Sequence, residues 1–126
     1  MTTYIVAVDI GTSSTKAIAL ELTGKIIAEH YVSYSVISSR PSYAEQDPEI
    51  LFDAVVTCIK QVCKLVGEKY ELATLLGVSF SSAMHGLIAM DVDGKPLTNC
   101  IIWADTRSEG FAEHLKATPL GHEIYM

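Results

Sequence analysis

The chain has 126 residues, of which 49% are hydrophobic and 19% are charged, a balance that is typical of one globular domain and excludes a disordered chain. The formal net charge is −6. Because the basic residues are scattered and form no positive face that would neutralise phosphates, we expect no nucleic-acid partner.

The first third of the sequence is predicted to form three antiparallel strands. An apolar, β-branched run from Tyr4 to Asp9 is followed by the small-residue turn Gly11–Ser14 and a second such run, Thr15 to Leu22. A turn at Thr23–Lys25 then leads to the third predicted strand, Ile26 to Tyr34. The hydroxyl-rich turn between the first two strands is unusual for a hairpin.

A long helix is predicted after the polar stretch that ends at Asp47. Asp47 can cap the helix, and Pro48 suits its first turn. Apolar residues then recur at three- and four-residue steps, which is the period of one buried helical face. These apolar residues are Leu51, Phe52, Val55, Val56, Ile59, Val62, Cys63 and Val66.

Beyond the helix, Leu75 to Ser81 is predicted to form a buried strand, and Leu87–Met90 is predicted to pair with Cys100–Trp103. Arg107–Lys116 is predicted as a closing helix. Since helical crossovers pack back onto a sheet right-handedly, the strand after the long helix should lie parallel beside the first strand. The element order therefore predicts an α/β fold with a mixed sheet.

The segment from Asp9 to Lys16 is a candidate phosphate site. Gly11 lets the turn backbone approach a ligand closely, and successive N–H groups and hydroxyls can hold phosphate oxygens. A carboxylate beside a phosphate is repelled, so Asp9 fits such a site mainly if Mg²⁺ or its water shell lies between them. The alternative is an ordinary hairpin whose polar side chains satisfy turn amides, with Lys16 a plain strand residue. The spacing excludes a P-loop and a dinucleotide fingerprint.

Two later segments are candidate sites for a small polar ligand. Met84 can give a pocket an adaptable apolar wall, and His85 can donate a hydrogen bond to a hydroxyl or carboxylate. Trp103 can stack on the apolar face of a sugar chain, and Asp105 can bind its hydroxyls. The structural alternatives are core packing of the Met-His pair, and an Asp105 that caps the next helix while pairing with Arg107.

Four sequence blocks, taken in order, resemble the FGGY carbohydrate kinases. They are Asp9-Ile10-Gly11-Thr12-Ser13-Ser14-Thr15-Lys16, Ala44-Glu45-Gln46-Asp47-Pro48, Met84-His85-Gly86 and Trp103-Ala104-Asp105-Thr106-Arg107. The blocks span essentially the whole chain, and four of them at family-like intervals are far more specific than any one.

The resemblance implies a ribonuclease H-like (actin-type ATPase) fold, in which a mixed sheet carries flanking helices. Members have two such domains with ATP and sugar in the cleft between them, and residues 1–126 would form a partial domain, roughly the first half of the first one. ATP and Mg²⁺ are the implied cofactors. The implied partners are a sugar or sugar-acid substrate and the remainder of the kinase chain. The catalytic aspartate and the adenosine site would lie downstream, so we expect the isolated chain to be inactive.

The resemblance also assigns roles to residues at the matching positions. The implied cofactor-binding residues are Asp9, Gly11, Thr12, Ser13, Ser14 and Lys16, with Asp9 facing the metal. The implied substrate-binding residues are Met84, His85, Trp103, Asp105 and Arg107. The blocks resemble gluconate kinases more than xylulose kinases, which usually carry glutamine where this chain has Ala83. The implied reaction transfers the γ-phosphoryl group of ATP to a primary hydroxyl of gluconate.

Three other functions are alternatives. A xylulose kinase or another sugar or polyol kinase would use the same fold and cofactors. An actin- or chaperone-like ATP-binding module would share the Asp-Gly-Thr hairpin and would not phosphorylate a small molecule. A natural short protein would act only as a binding module. The Met84-His85 and Trp103–Arg107 blocks favour the kinase.

Location and redox state follow from what the sequence lacks. There is no basic segment ahead of an apolar run at the N-terminus and no apolar run long enough to cross a bilayer, so we expect a cytoplasmic protein with no membrane partner. Cys58, Cys63 and Cys100 lack metal-ligand spacing and are predicted to be reduced core residues. Apolar surface that the rest of a kinase would cover would favour a homo-oligomer.

Overall fold

A computed structural model describes residues 2–124 and shows two sheets and three helices in that part of the chain. The larger sheet has four strands in the order β3-β2-β1-β5, and the smaller one pairs β4 with β6. The elements are β1 (Thr2–Ile10), β2 (Ser14–Glu21), β3 (Ile26–Ser33), β4 (Glu45–Gln46), α1 (Pro48–Lys69), β5 (Ala73–Ser82), β6 (Cys100–Ile101), α2 (Glu109–Lys116) and α3 (Pro119–Ile124).

The larger sheet is mixed, as the element order predicts. β1 pairs antiparallel with β2, and β2 pairs antiparallel with β3. β5 follows the crossover helix α1 and pairs parallel with β1. The predicted three-strand meander and the parallel return are therefore confirmed.

Helix α1 begins where the sequence predicts. The Asp47 carboxylate accepts the N–H of Glu49 at 2.9 Å and that of Ile50 at 3.4 Å, so it satisfies two of the unpaired amides of the first turn. Phe52 was predicted to lie on the buried face, and this is wrong, since 65% of it is exposed. The buried stripe of α1 is narrower and recurs at four-residue steps: Ala54, Cys58, Val62 and Val66.

The core lies between this stripe and one face of the sheet. Side chains alternate across a strand, so every second residue of β1 and β2 faces the helix. Small residues in β2 let the helix lie close to the sheet. The buried residues of β1, β2 and β3 are Tyr4, Val6, Val8, Thr15, Ala17, Ala19 and Ile27.

Leu75–Ser81 lies in strand β5, as predicted, but the prediction that this strand is buried is wrong. All ten residues of β5 are exposed, including Leu76 at 59% and Phe80 at 58%. β5 is an edge strand with β1 as its one neighbour, and the helix packs on β1, β2 and β3. An apolar run is typical of a central strand that is covered on both faces. The composition of β5 therefore indicates a covered strand, but no element within residues 2–124 covers it.

The segment after β5 only partly follows the predictions. Leu87 bridges Ile101 as predicted, but β6 is just two residues long and pairs with β4, which was not predicted. The closing helix α2 begins at Glu109, so the prediction that it starts at Arg107 is wrong. The side chain of Arg107 is engaged in ion pairs described below.

The cysteines are free thiols, as predicted. Cys58 and Cys100 are buried and Cys63 is half-buried against the core. Burial raises the pKa of the Cys58 and Cys100 thiols. Within residues 2–124, no helix combines the length and apolar character needed to span a membrane.

The buried Tyr4 predicts an alkaline loss of stability. Burial, with a smaller contribution from Cys63, raises the pKa of Tyr4 to about 12. The unfolded chain ionises this phenol near pH 10 and so binds fewer protons than the folded chain at higher pH. The contribution of the protonated Tyr4 phenol to the free energy of unfolding is therefore intact below pH 10. As the pH rises from 10 to 12, the free energy of unfolding falls by about 2–3 kcal/mol.

Urea unfolding of the chain at pH values from 9 to 12 measures this loss. Tyr4→Phe keeps the apolar ring and removes the ionisable group, so we expect a flatter dependence of the unfolding free energy on pH. An equally steep loss in Tyr4→Phe would show that other groups cause it.

Candidate functional site

The candidate site lies where β1 and β5 end. Since the two strands are parallel, their carboxyl ends meet at one edge of the sheet, with Asp9 opposite Ser81 and Ile10 opposite Ser82. The Ala83 N–H donates to the Ile10 carbonyl at 3.0 Å and extends this pairing past the strand. The predicted phosphate turn and the Met84-His85 segment are therefore neighbours.

The turn after Asp9 is held by hydrogen bonds to its own carbonyls. The Gly11 N–H donates to the Ser14 carbonyl at 2.9 Å, and the Tyr34 hydroxyl donates to the Gly11 carbonyl at 2.7 Å. The Gln46 side-chain amide donates to the Thr12 carbonyl at 2.8 Å, and the Tyr34 N–H donates to the Ser13 carbonyl at 3.0 Å. With these carbonyls fixed, the turn backbone has a defined shape.

Tyr34 and Gln46 were not predicted as site residues. Tyr34 ended a predicted strand, and nothing in the local sequence indicates that its hydroxyl returns to the turn. Gln46 belongs to the second resemblance block, which was a usable signal. Its side chain is 4% exposed, and its amide has a hydrogen-bonding partner in the turn.

A cavity of about 170 Å³ joins the turn to the later segments. Gly11 contributes from the turn, Met84 from the segment after β5, and Trp103 from the segment after β6. Met84 is 72% exposed and Trp103 is 63% exposed, so neither residue is a core residue in residues 2–124. Ala83 and Gln46 also line the cavity. Its volume is below the ~300–1,000 Å³ of typical ligand pockets.

Asp9 and Lys16 do not line this cavity, which Leu51 of α1 also lines. Both contribute to a second hollow of about 210 Å³ on the face of the sheet away from α1, together with Ser79 and Ser81. Lys16 forms an ion pair with Glu29 at 2.7 Å. The Lys16 side chain is 50% exposed and the Glu29 side chain is 59% exposed, so the pair contributes little to stability.

Asp9 is compatible with a Mg²⁺ site. No cluster of three or more metal-ligating side chains occurs within residues 2–124. Mg²⁺, however, usually keeps several waters and takes one or two protein carboxylates together with substrate phosphates. The exposed Asp9 carboxylate beside the turn fits that donor set.

His85 is exposed, does not line the cavity, and has φ +64°. A left-handed backbone is uncommon for a residue with a side chain and tends to mark turns and ligand sites. The conformation lets the chain reverse between β5 and Leu87, which bridges Ile101.

Asp105 and Arg107 bind each other beside the cleft. The Asp105 carboxylate accepts Arg107 Nη2 at 2.7 Å, Arg107 Nε at 2.8 Å, and the Ala44 N–H at 2.7 Å. Arg107 also pairs with Glu45 and lies 3.7 Å from the centre of the Tyr43 ring. These contacts lower the pKa of the Asp105 and Glu45 carboxyls and raise that of Arg107. Neither Asp105 nor Arg107 lines the cavity.

Comparison with protein families identifies the chain. Residues 4–126 match the model of the N-terminal domain of the FGGY family of carbohydrate kinases. The chain belongs to this FGGY family. The predicted α/β fold of ribonuclease H-like (actin-type ATPase) type is confirmed, as a partial domain.

Individual FGGY kinases are similar to the whole chain. Gluconokinase of Bacillus subtilis (strain 168) is 43% identical over 125 residues, which are 99% of this chain and 24% of that protein. Xylulose kinase of Staphylococcus xylosus is 34% identical over 113 residues, which are 90% of this chain and 23% of that protein. The crystal structure of gluconate kinase from Lactobacillus acidophilus superposes with a TM-score of 0.88 at 32% identity, covering 99% of this chain and 24% of that one. The chain therefore spans about a quarter of the length of these FGGY relatives.

Proposed function

We propose that the full-length protein carrying this chain is an ATP-dependent kinase that phosphorylates gluconate or a related sugar acid at a primary hydroxyl. The observation that carries the proposal is the cavity that Gly11, Met84 and Trp103 share, since it joins a phosphate-type turn to a surface suited to a sugar chain. Membership of the FGGY family supports it.

The residues of the turn would hold the transferred phosphate. The N–H groups of Thr12 and Ser13 and the hydroxyls of Thr12, Ser13 and Ser14 provide donors for phosphate oxygens. Gly11, whose own N–H donates to the Ser14 carbonyl, would let the turn backbone approach the phosphate closely. Asp9 would hold Mg²⁺, and Mg²⁺ supplies neutralisation of the charge that develops on the phosphoryl group. Lys16 would contribute positive charge at the same end of the sheet once released from Glu29.

The sugar acid would lie against Met84 and Trp103. Trp103 offers a flat apolar face, and Met84 an adaptable wall. His85, next to Met84, would donate a hydrogen bond to a hydroxyl or the carboxylate. Catalysis in such transfers is mainly positioning, and the base that activates the hydroxyl would come from the part of the kinase beyond this chain.

The choice of gluconate over a ketose depends on Ala83. Ala83 lines the cavity and has no side-chain amide to offer a substrate, whereas the resemblance gives glutamine to xylulose kinases at this place. The 43% identity with a gluconokinase and 34% with a xylulose kinase support the same choice. A xylulose kinase remains the alternative, because both relatives share the fold.

A substrate panel on the full-length protein tests the proposal. We expect ATP turnover with the highest kcat/KM for gluconate, ahead of xylulose and glycerol. A higher kcat/KM for xylulose than for gluconate would make xylulose the substrate. Turnover that no sugar stimulates would favour the actin- or chaperone-like function. The 126-residue chain alone should show no gluconate-dependent turnover, because one wall of a cleft cannot exclude water from the reaction.

A further inference from the structure

The ion-pair cluster around Arg107 joins two segments that are far apart in the sequence. Arg107 binds Asp105 on its own segment and Glu45 on β4, and its guanidinium stacks on Tyr43. Asn99 donates to the second Glu45 oxygen at 2.9 Å. Backbone bonds run alongside: Ile102 N–H to Ala44 carbonyl at 3.1 Å, and Thr106 N–H to Ser42 carbonyl at 2.9 Å.

The carboxylate of Asp105 has little capacity left for a ligand. An ionised carboxylate offers about four acceptor positions. Asp105 accepts the Ala44 N–H and three N–H groups of Arg107, and its side chain is only 3% exposed. A sugar hydroxyl would have to displace one of these donors. The contacts therefore favour a role within the protein over direct substrate contact.

The same segment also reaches the phosphate turn. Glu45 and Gln46 are adjacent in β4, so their side chains point to opposite sides of the strand. Glu45 faces Arg107, and Gln46 donates to the Thr12 carbonyl at 2.8 Å. The segment 42–46 thus contacts the Trp103 segment on one side and the turn on the other.

We propose that Glu45 and Arg107 are positioning residues that fix the segment 42–46 between the Trp103 segment and the phosphate turn. The kinetic part of this proposal rests on the proposed function. The cluster sets the separation of the sugar-facing and phosphate-facing walls of the cleft. Arg107 is suited to this role because its planar fork binds two carboxylates and stacks on a ring at the same time, which a lysine cannot reproduce.

Two variants and one control test the proposal in the full-length kinase. Arg107→Lys keeps the charge and loses the fork and the stacking, and Glu45→Gln keeps the size and loses the charge. Lys64→Gln is the control, since it removes an exposed ion pair with Glu68 on α1, away from the cleft. Hydrogen exchange of the Ile102 and Thr106 amides reports whether the ion-pair cluster around Arg107 holds the segment 42–46, and this measurement does not depend on activity.

We expect Arg107→Lys and Glu45→Gln to speed exchange at Ile102 and Thr106 by about tenfold or more, and at Gly11 in the turn by a smaller factor. In turnover assays kcat should fall by about tenfold, while KM for the sugar changes less than threefold. Lys64→Gln should change neither quantity.

Unchanged exchange in both variants would overturn the proposal. A tenfold rise in KM with unchanged exchange would do the same and would make Arg107 a sugar ligand. If the wild-type protein shows no sugar-dependent turnover, the proposed function fails. The exchange data still decide whether Glu45 and Arg107 position the segment 42–46. If Arg107→Lys does not fold, Glu45→Gln and its exchange decide.

Discussion

Replacing Asp9 by Asn in the proposed full-length kinase is expected to lower kcat by about 10²–10³-fold, the range typical of losing one preorganised electrostatic contact to a developing charge. The amide has nearly the same shape but no charge with which to hold Mg²⁺ beside the phosphates. The Mg²⁺ concentration for half-maximal rate should rise by about 10–100-fold. KM for the sugar should change little, because Asp9 does not line the cavity that Met84 and Trp103 line.

Steady-state kinetics over a Mg²⁺ titration measure both effects. The matched control is Asp53→Asn, which makes the same chemical change at an exposed position of α1. A variant with normal kcat and normal Mg²⁺ dependence would remove Asp9 from the proposed site.

Gly11→Ala is expected to lower kcat/KM for ATP by up to about tenfold, because the added Cβ displaces the turn by a few tenths of an ångström, whereas a displacement of about 1 Å in a positioned group costs ~10²-fold. A Cβ on Gly11 would lie 3.1 Å from the Ser14 carbonyl, which already accepts the Gly11 N–H at 2.9 Å. Backbone atoms have to move to relieve this contact, and the turn donors move with them.

Gly67→Ala is the matched control for the same substitution. Gly67 lies in α1, and a Cβ there meets no atom within 4 Å. Helix propensity predicts a gain of about 0.5–1 kcal/mol in unfolding free energy and no change in kinetics. If Gly11→Ala retains wild-type kcat/KM for ATP, the turn does not hold the phosphate.

Elements whose residues repeat regularly were predictable from the sequence. The apolar, β-branched runs of β1 and β2, the turn residues between strands, and the spacing along α1 each report local geometry. The parallel return of β5 followed from the handedness of crossovers. The burial of β5 was predicted incorrectly because an apolar run reports that a strand is to be covered, not whether the same segment of chain covers it.

The site was only partly predictable, because its supporting contacts are long-range. The turn, Met84 and Trp103 carry recognisable residue types. β4 has two residues and no measurable period, so it read as part of a polar loop. Sequence left two roles open for Asp105 and Arg107, and the structure shows the partner that local sequence could not reveal, Glu45 on a distant segment.

The parallel pairing of β1 with β5 also determines when the candidate site forms during folding. β1, β2 and β3 are joined by short turns and can associate within microseconds, the time scale of hairpin formation. β5 can join only after α1 has closed a long loop, and such distant contacts form late because their entropic cost precedes their gain. Asp9 and Ser81 therefore meet near the end of folding. Substitutions at that edge should mainly accelerate unfolding and leave the refolding rate almost unaltered.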